Sequence, residues 1–240
     1  KAKQLHHASR QVRTIEVNGT YYSTFKPATF AKWAADAPEG FVFSLKAIRF
    51  ATNRRVLAEA GESVRRFLES GVAELGDKLG PILWQFAPTK KFDASDFEGF
   101  LKVLPEAQDG LRLRHALEVR HDSFVTADFV ALARKYGAAV VYAHHAKYPE
   151  IADITGDFVY ARLQKGSDGN ENCYAEAELD RWAERVKAWA QGGEPHDLPH
   201  ASPDIPPAVK TPRDVFVYFI TEGKSRAPFG AMALQKRVAS

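Results

Sequence analysis

The sequence predicts an α/β protein of the (β/α)8 TIM-type barrel class, with the first strand lying upstream of Lys1. Three observations carry this expectation. Seven short runs rich in β-branched and aromatic residues alternate with amphipathic helical patterns, which points to a parallel sheet covered by helices. No Gly-rich phosphate turn follows the first run, as an open doubly wound sheet would require. In most runs the apolar residues keep one parity, while charged and amide residues hold the other.

Lys1 to Arg10 reads as the tail of a helix leading into RTIEVN, the first strand. The remaining strands are FVFSLKA, PILWQF, HALEVRH, AAVVYA, DFVYARLQ and DVFVYFI. Seven strands after an apparent helix leave an eight-stranded barrel one short, hence the upstream strand. The clearest helix is ESVRRFLESGVAEL, residues 62–75. There Val64, Phe67, Leu68, Val72 and Leu75 fall at helical spacing, and Glu62 and Arg66 form an i,i+4 pair. Gly71 weakens that helix, and Gly80-Pro81 follows its end. Further helices are expected around 29–36, 94–103, 126–136, 177–190 and 228–238. The stretch 192–213 carries six prolines and reads as an extended, exposed loop before the last strand. One barrel domain accounts for 1–240.

The composition is that of a folded protein with a substantial core: 45% hydrophobic, 12% aromatic and 26% charged over 240 residues. A net charge of +3 slightly favours anionic partners. No dense Lys/Arg block appears, so nucleic acid is not favoured. The single Cys173 excludes an intramolecular disulfide and a paired-Cys zinc motif. The chain shows neither a membrane-spanning apolar stretch nor a signal peptide, so a cytoplasmic location is expected, with no membrane partner. The sequence sets no oligomeric state.

The parity argument yields the candidate site. In a parallel barrel one parity of each strand packs against the helices and the other faces the axis. Phe43 and Leu45, Trp84 and Phe86, Leu117 and Val119, Val159 and Ala161, and Val217 and Phe219 suit the helix layer. The other parity then turns Glu16, Asn18, Lys46, Gln85, Glu118, Arg120, Arg162 and Tyr218 inward, with His121 closing HALEVRH. Most lie late in their strands, at the end where barrel proteins keep their sites. Three cations (Lys46, Arg120, Arg162) against two carboxylates (Glu16, Glu118) leave one net positive charge. A buried ion cluster rarely stabilises better than apolar packing, because each charge costs several kcal/mol to desolvate. A ligand site is therefore the stronger reading.

The motifs IEVNGTYYS, Trp33, PEGFVFSLK, LGPILWQFAP, LEVRHDSF, GDFVYARL and LDRWAERVKAW resemble, in order, those of the YecE-like proteins, domain of unknown function number 72. The resemblance runs from about Ile15 to Leu234. It implies a (β/α) barrel and a site, but no reaction, since the family has no agreed activity. Members usually begin with a Gly/Trp-rich first strand that this chain lacks. Where the family commonly carries Thr-His this chain has Thr52-Asn53, and where it often carries Tyr-Phe-Asn-Asn this chain reads Tyr218-Phe219-Ile220-Thr221.

Other groups carry less. His121, His144 and His145 with Glu16 and Glu118 could nominally ligate a metal, but Lys46, Arg120 and Arg162 would crowd a cation. No metal or other cofactor is predicted. Ser123 lacks a G-x-S-x-G elbow and is expected to cap the helix near Thr126 or order its turn. The four tryptophans are expected to pack helices and strands, their indole N–H groups seeking partners.

The expectation is a barrel enzyme, of lyase or hydrolase type, acting on a small anionic ligand that is phosphorylated or carboxylated. Arg120 and Arg162 would hold the anion. Lys46, its pKa lowered by neighbouring arginines, would be the electrophile or nucleophile. Glu16 or Glu118 would transfer protons, and Asn18 and Gln85 would orient the substrate. The alternatives are a non-catalytic binder of nucleotide or nucleic-acid phosphates and, less favoured, a metal-dependent phosphodiester hydrolase.

Overall fold

A computed structural model describes residues 2–220 and 223–239, so Thr221 lies outside the described residues. The chain forms two compact units, one running to Leu117 and the other starting at Glu118. Both mix strands and helices. All seven expected strands are present.

In the first unit, α1 (Ala2–Ala8) leads into β1 (Thr14–Val17), followed by α2 (Pro27–Asp36), β2 (Val42–Lys46) and the short α3 (Arg49–Thr52). Then come α4 (Gly61–Leu68), β3 (Leu79–Gln85), α5 (Ala94–Lys102), a small hairpin β4 (Ala107–Gln108) and β5 (Leu111–Arg112), and β6 (His115–Glu118). β1, β2 and β3 pair in parallel, with Glu16 opposite Ser44 and Lys46 opposite Leu83. Beside β3, the Ile82 N–H donates to the Arg114 carbonyl at 2.8 Å.

The aromatic parity of these strands builds the helix-facing layer. Phe43 stacks on Trp33 of α2, while Trp84 meets Phe67 of α4 and Phe100 of α5 edge-on. Phe86 packs on Phe97 and Phe100. Burying aromatic rings of this size contributes strongly to the unit's cohesion. The Trp84 indole finds its partner in His115, donating to Nδ1 at 3.0 Å, so the imidazole carries its proton on Nε2 and donates it to the Pro105 carbonyl.

The helix expected over 62–75 is not continuous. α4 stops at Leu68, and a 3₁₀ segment begins at Val72. Between them Gly71 takes φ +105°, and a Cβ there would lie 2.6 Å from the Pro27 Cα. Close approach to the start of α2 breaks the helix, although Val72 and Leu75 are still buried as their spacing implied. The Glu62–Arg66 pair is long at 4.0 Å; Arg65 instead bridges Glu62 and Glu69 at 2.7 and 2.6 Å. The unexpected β4–β5 hairpin turns on Asp109 and Gly110, both at positive φ, as an Asp-Gly turn requires.

In the second unit a 3₁₀ turn (Asp122–Phe124) precedes α6 (Ala127–Lys135), whose N-terminus is capped by Thr126. β7 (Ala139–His144), β8 (Phe158–Leu163) and β9 (Asp214–Phe219) pair in parallel, with α7 (Glu176–Ala190) and α8 (Ala227–Ala239) in sequence around β9. No helix separates β7 from β8. Tyr142, Val159, Ala161 and Leu163 form one core with Trp182, Val186 and Trp189 of α7, and Val217 and Phe219 pack against it. Arg237 of α8 holds Asp180 and Glu176 of α7.

Residues 192–213 contain no helix or strand, as the prolines dictate, but they are not uniformly exposed. Leu198 joins the core, and the Pro199 carbonyl accepts from the Ala152 N–H at 2.8 Å. The apolar side chain and a free backbone acceptor dock this part of the loop. Among the described residues no helix is long and apolar enough to cross a membrane.

Candidate functional site

The second unit opens with the centre of the site. Glu118, the last residue of β6, is fully buried. Its Oε1 accepts from Arg120 Nε at 2.9 Å and Nη2 at 2.8 Å, and its Oε2 accepts from Arg162 Nη1 at 2.5 Å. Arg162 sits one residue before the end of β8 and is 2% exposed. Register places Ala143 on one side of it and Tyr218 on the other. The small alanine leaves width for the guanidinium, and Tyr218 packs its ring 4.9 Å from that of Tyr160 on the same face. Two guanidiniums on one carboxylate leave a net positive charge in a dry setting.

Arg120 is the more open of the two, with a side chain 18% exposed. Its guanidinium lies 4.5 Å from the Tyr148 ring centroid, and Tyr148 stacks on His145 at 4.2 Å. His145 Nδ1 accepts from the Lys147 N–H, so the neutral ring presents an Nε2–H donor. Burial, then the charge of Arg120, lowers its pKa. His121 turns to its own loop instead: Nδ1 engages the Ser123 hydroxyl at 2.9 Å and backbone N–H at 3.1 Å, so Ser123 orders the turn while Thr126 caps the helix.

His144 faces the helix layer, its ring 5.0 Å from that of Trp182 and its Nδ1 3.1 Å from the Tyr174 hydroxyl. Burial, reinforced by Lys165, lowers its pKa to about 4. Nearby, Glu150 accepts from Tyr142 and Lys165, at 2.5 and 2.6 Å. Burial and that carboxylate push the Tyr142 hydroxyl pKa up.

In the first unit the candidates also cluster at strand ends. Glu16 Oε1 accepts from Asn18 Nδ2 at 3.0 Å. Lys46 ends β2, is 8% exposed, and holds its ammonium 4.1 Å above the Tyr21 ring. Its carbonyl accepts from Thr20 at 2.7 Å, so the Gly19–Tyr21 turn positions both backbone and charge. Gln85, at the end of β3, is buried. Among the described residues no group of three or more His, Cys, Asp and Glu could hold a metal ion.

Sequence reasoning missed Tyr21, Tyr148 and Gln164, and weighed His145 only as a metal ligand. Gln164 shares the parity of Arg162 and was legible as part of DFVYARLQ. The Tyr21 and Tyr148 contacts with cations come from loops folding back, which strand periodicity does not register.

These motifs and this alternation of strands and helices can be set beside known proteins. The family model described as "Protein of unknown function DUF72" matches residues 1–240. The chain belongs to the DUF72 family. It is similar to a DUF72 protein from Enterococcus faecalis V583 (TM-score 0.75, 18% identity, covering 100% of this chain and 94% of that one). A second crystal structure of that protein gives a TM-score of 0.72 at 18% identity, over 98% and 88%. A DUF72 protein from Thermotoga maritima MSB8 follows (0.66, 20% identity, 95% and 85%). At such identities the likeness establishes a shared DUF72 fold. No curated protein matches the chain.

Proposed function

We propose that this DUF72 protein is an enzyme of the (β/α)8 barrel type, acting on a small anionic ligand held by Arg120 and Arg162. The observation that carries the reading is the fully buried Glu118 gripping both guanidiniums at once. Such a cluster is a poor way to stabilise a fold, since desolvating each ion costs several kcal/mol. It is a good way to hold two planar forks in fixed orientation with positive charge in excess, which suits phosphate or carboxylate.

Both Glu118 oxygens already accept from arginines, so its part in this reading is to orient them. Within the first unit, Glu16 is held by Asn18 and is the proton-transfer group of this reading, and Lys46, poised by Tyr21 and Thr20, is its reactive amine. A cytoplasmic setting belongs to the same proposal, and the single cysteine agrees with a reducing compartment.

The test is thermal melting of wild type and Arg120→Leu in phosphate, sulfate, acetate or chloride at constant ionic strength. Selective stabilisation of wild type by an oxyanion supports the reading. Equal behaviour in chloride and oxyanions, or equal gains in the variant, contradicts it.

A further inference from the structure

Gln164 follows β8 directly, and its backbone N–H donates to the His144 carbonyl at 3.0 Å, extending the parallel ladder by one residue. Alternation therefore carries through: Arg162 and Gln164 share a face, while Leu163 between them lies in the helix-side core. The side chain is 3% exposed, and its Nε2 has no hydrogen-bond partner among the described residues. A buried amide donor left unmatched is costly. Continuing the register that sets Ala143 against Arg162 brings His145 opposite Gln164. His145 supplies an Nε2–H donor, because its Nδ1 is occupied by the Lys147 N–H.

We propose that Gln164, with His145, completes the anion site and makes it selective for a tetrahedral phosphoryl group over a planar carboxylate. The inference rests on the proposed function and narrows its ligand class. The donors come from three separate chain segments: Arg120 after β6, His145 after β7, and Arg162 and Gln164 in and after β8. A carboxylate has two oxygens in one plane and satisfies at most two such directions well. A phosphate monoester offers three terminal oxygens in a tetrahedral spread and can accept from all of them. Glu118 is engaged by both arginines and so presents little repulsion to a dianion.

The experiment is calorimetric titration of inorganic phosphate and of acetate into wild type, Gln164→Leu and Gln164→Glu. Wild type should bind phosphate at least tenfold more tightly than acetate. Gln164→Leu should lose tenfold or more in phosphate affinity and little in acetate affinity. Its ligand-free melting temperature should equal or exceed that of wild type, since an unmatched donor has been removed. Gln164→Glu should bind phosphate more weakly still, by charge repulsion. Phosphate affinity within twofold of wild type in Gln164→Leu, or a wild type that prefers acetate, overturns the inference while leaving an anion site standing. No saturable binding of either anion by wild type overturns the anion site itself, and this inference with it.

Discussion

Arg162 donates to Glu118 at 2.5 Å while both side chains are closed off from solvent, at 2% and 0% exposure. Neither charge can reach water if the other is removed. Arg120 shares the carboxylate but is partly open, so it can rehydrate where Arg162 cannot.

Glu118→Gln is therefore expected to destabilise the protein by about 3–5 kcal/mol, the usual cost of stranding a buried charge. Arg162→Met should cost less, because Arg120 still neutralises Glu118. In a double-mutant cycle the combined variant should be clearly more stable than the sum of the single losses predicts. Chemical denaturation of the four proteins measures this. Simple additivity would show that the pair is not coupled.

Gly71→Ala should destabilise by about 2–4 kcal/mol, through positive φ and overpacking together. Its Cβ would meet Pro27 at 2.6 Å, and the backbone there has φ +105°. Gly110→Ala supplies the contrast, since its φ is also positive but no atom lies within 4 Å of the added Cβ. A smaller loss is expected there, and equal losses would remove the steric part of the explanation.

Lys46→Met keeps the aliphatic stem over Tyr21 and deletes the charge. Stability should change by no more than about 1 kcal/mol, because relief from desolvation offsets the lost electrostatic contacts. Any turnover that wild type shows against a panel of phosphorylated metabolites should disappear. A large fall in melting temperature with turnover intact would make Lys46 a structural counter-ion.

Acid should weaken the fold through two buried imidazoles. Burial lowers the His115 pKa, and burial with the Lys165 charge takes His144 down to about 4. Unfolded, both titrate near 6.5, so below that pH the unfolded chain binds protons that the folded chain refuses. Stability is thus full above pH 6.5 and declines as pH falls toward 4. Melting temperatures between pH 7.5 and 4.5 should show this, with a shallower decline in His144→Asn. An unchanged slope in the variant would mean that His144 does not contribute.

The seven strands and the helix-facing aromatic parity were legible because period-two patterning survives wherever one face is buried against helices. Phe43, Trp84 and Phe86 show it directly. The break after Leu68 was not, because Val72 and Leu75 keep helical spacing through a segment whose backbone is set by contact with Pro27. The Gln108–Leu111 hairpin carried an Asp-Gly signal, but its strands are two residues each, too short for alternation to register. At the site, Arg162 and Glu118 followed from parity. Gln164 keeps the parity of Arg162 and was legible in DFVYARLQ, while His145 lies just past the end of β7; the bond from the Gln164 N–H to the His144 carbonyl prolongs the ladder there. The ring contacts of Tyr21 and Tyr148 depend on loop paths that no periodicity encodes.

The central claim is that the Glu118-braced guanidiniums form an anion site, and Arg120 is its most accessible member. Calorimetric titration of inorganic phosphate into wild type, Arg120→Lys and Arg120→Leu tests it most directly. The account predicts saturable one-to-one binding by wild type, a loss of roughly tenfold in Arg120→Lys, which keeps the charge but not the fork, and a greater loss in Arg120→Leu. Absence of saturable heat in wild type, or the same affinity in all three proteins, would contradict it.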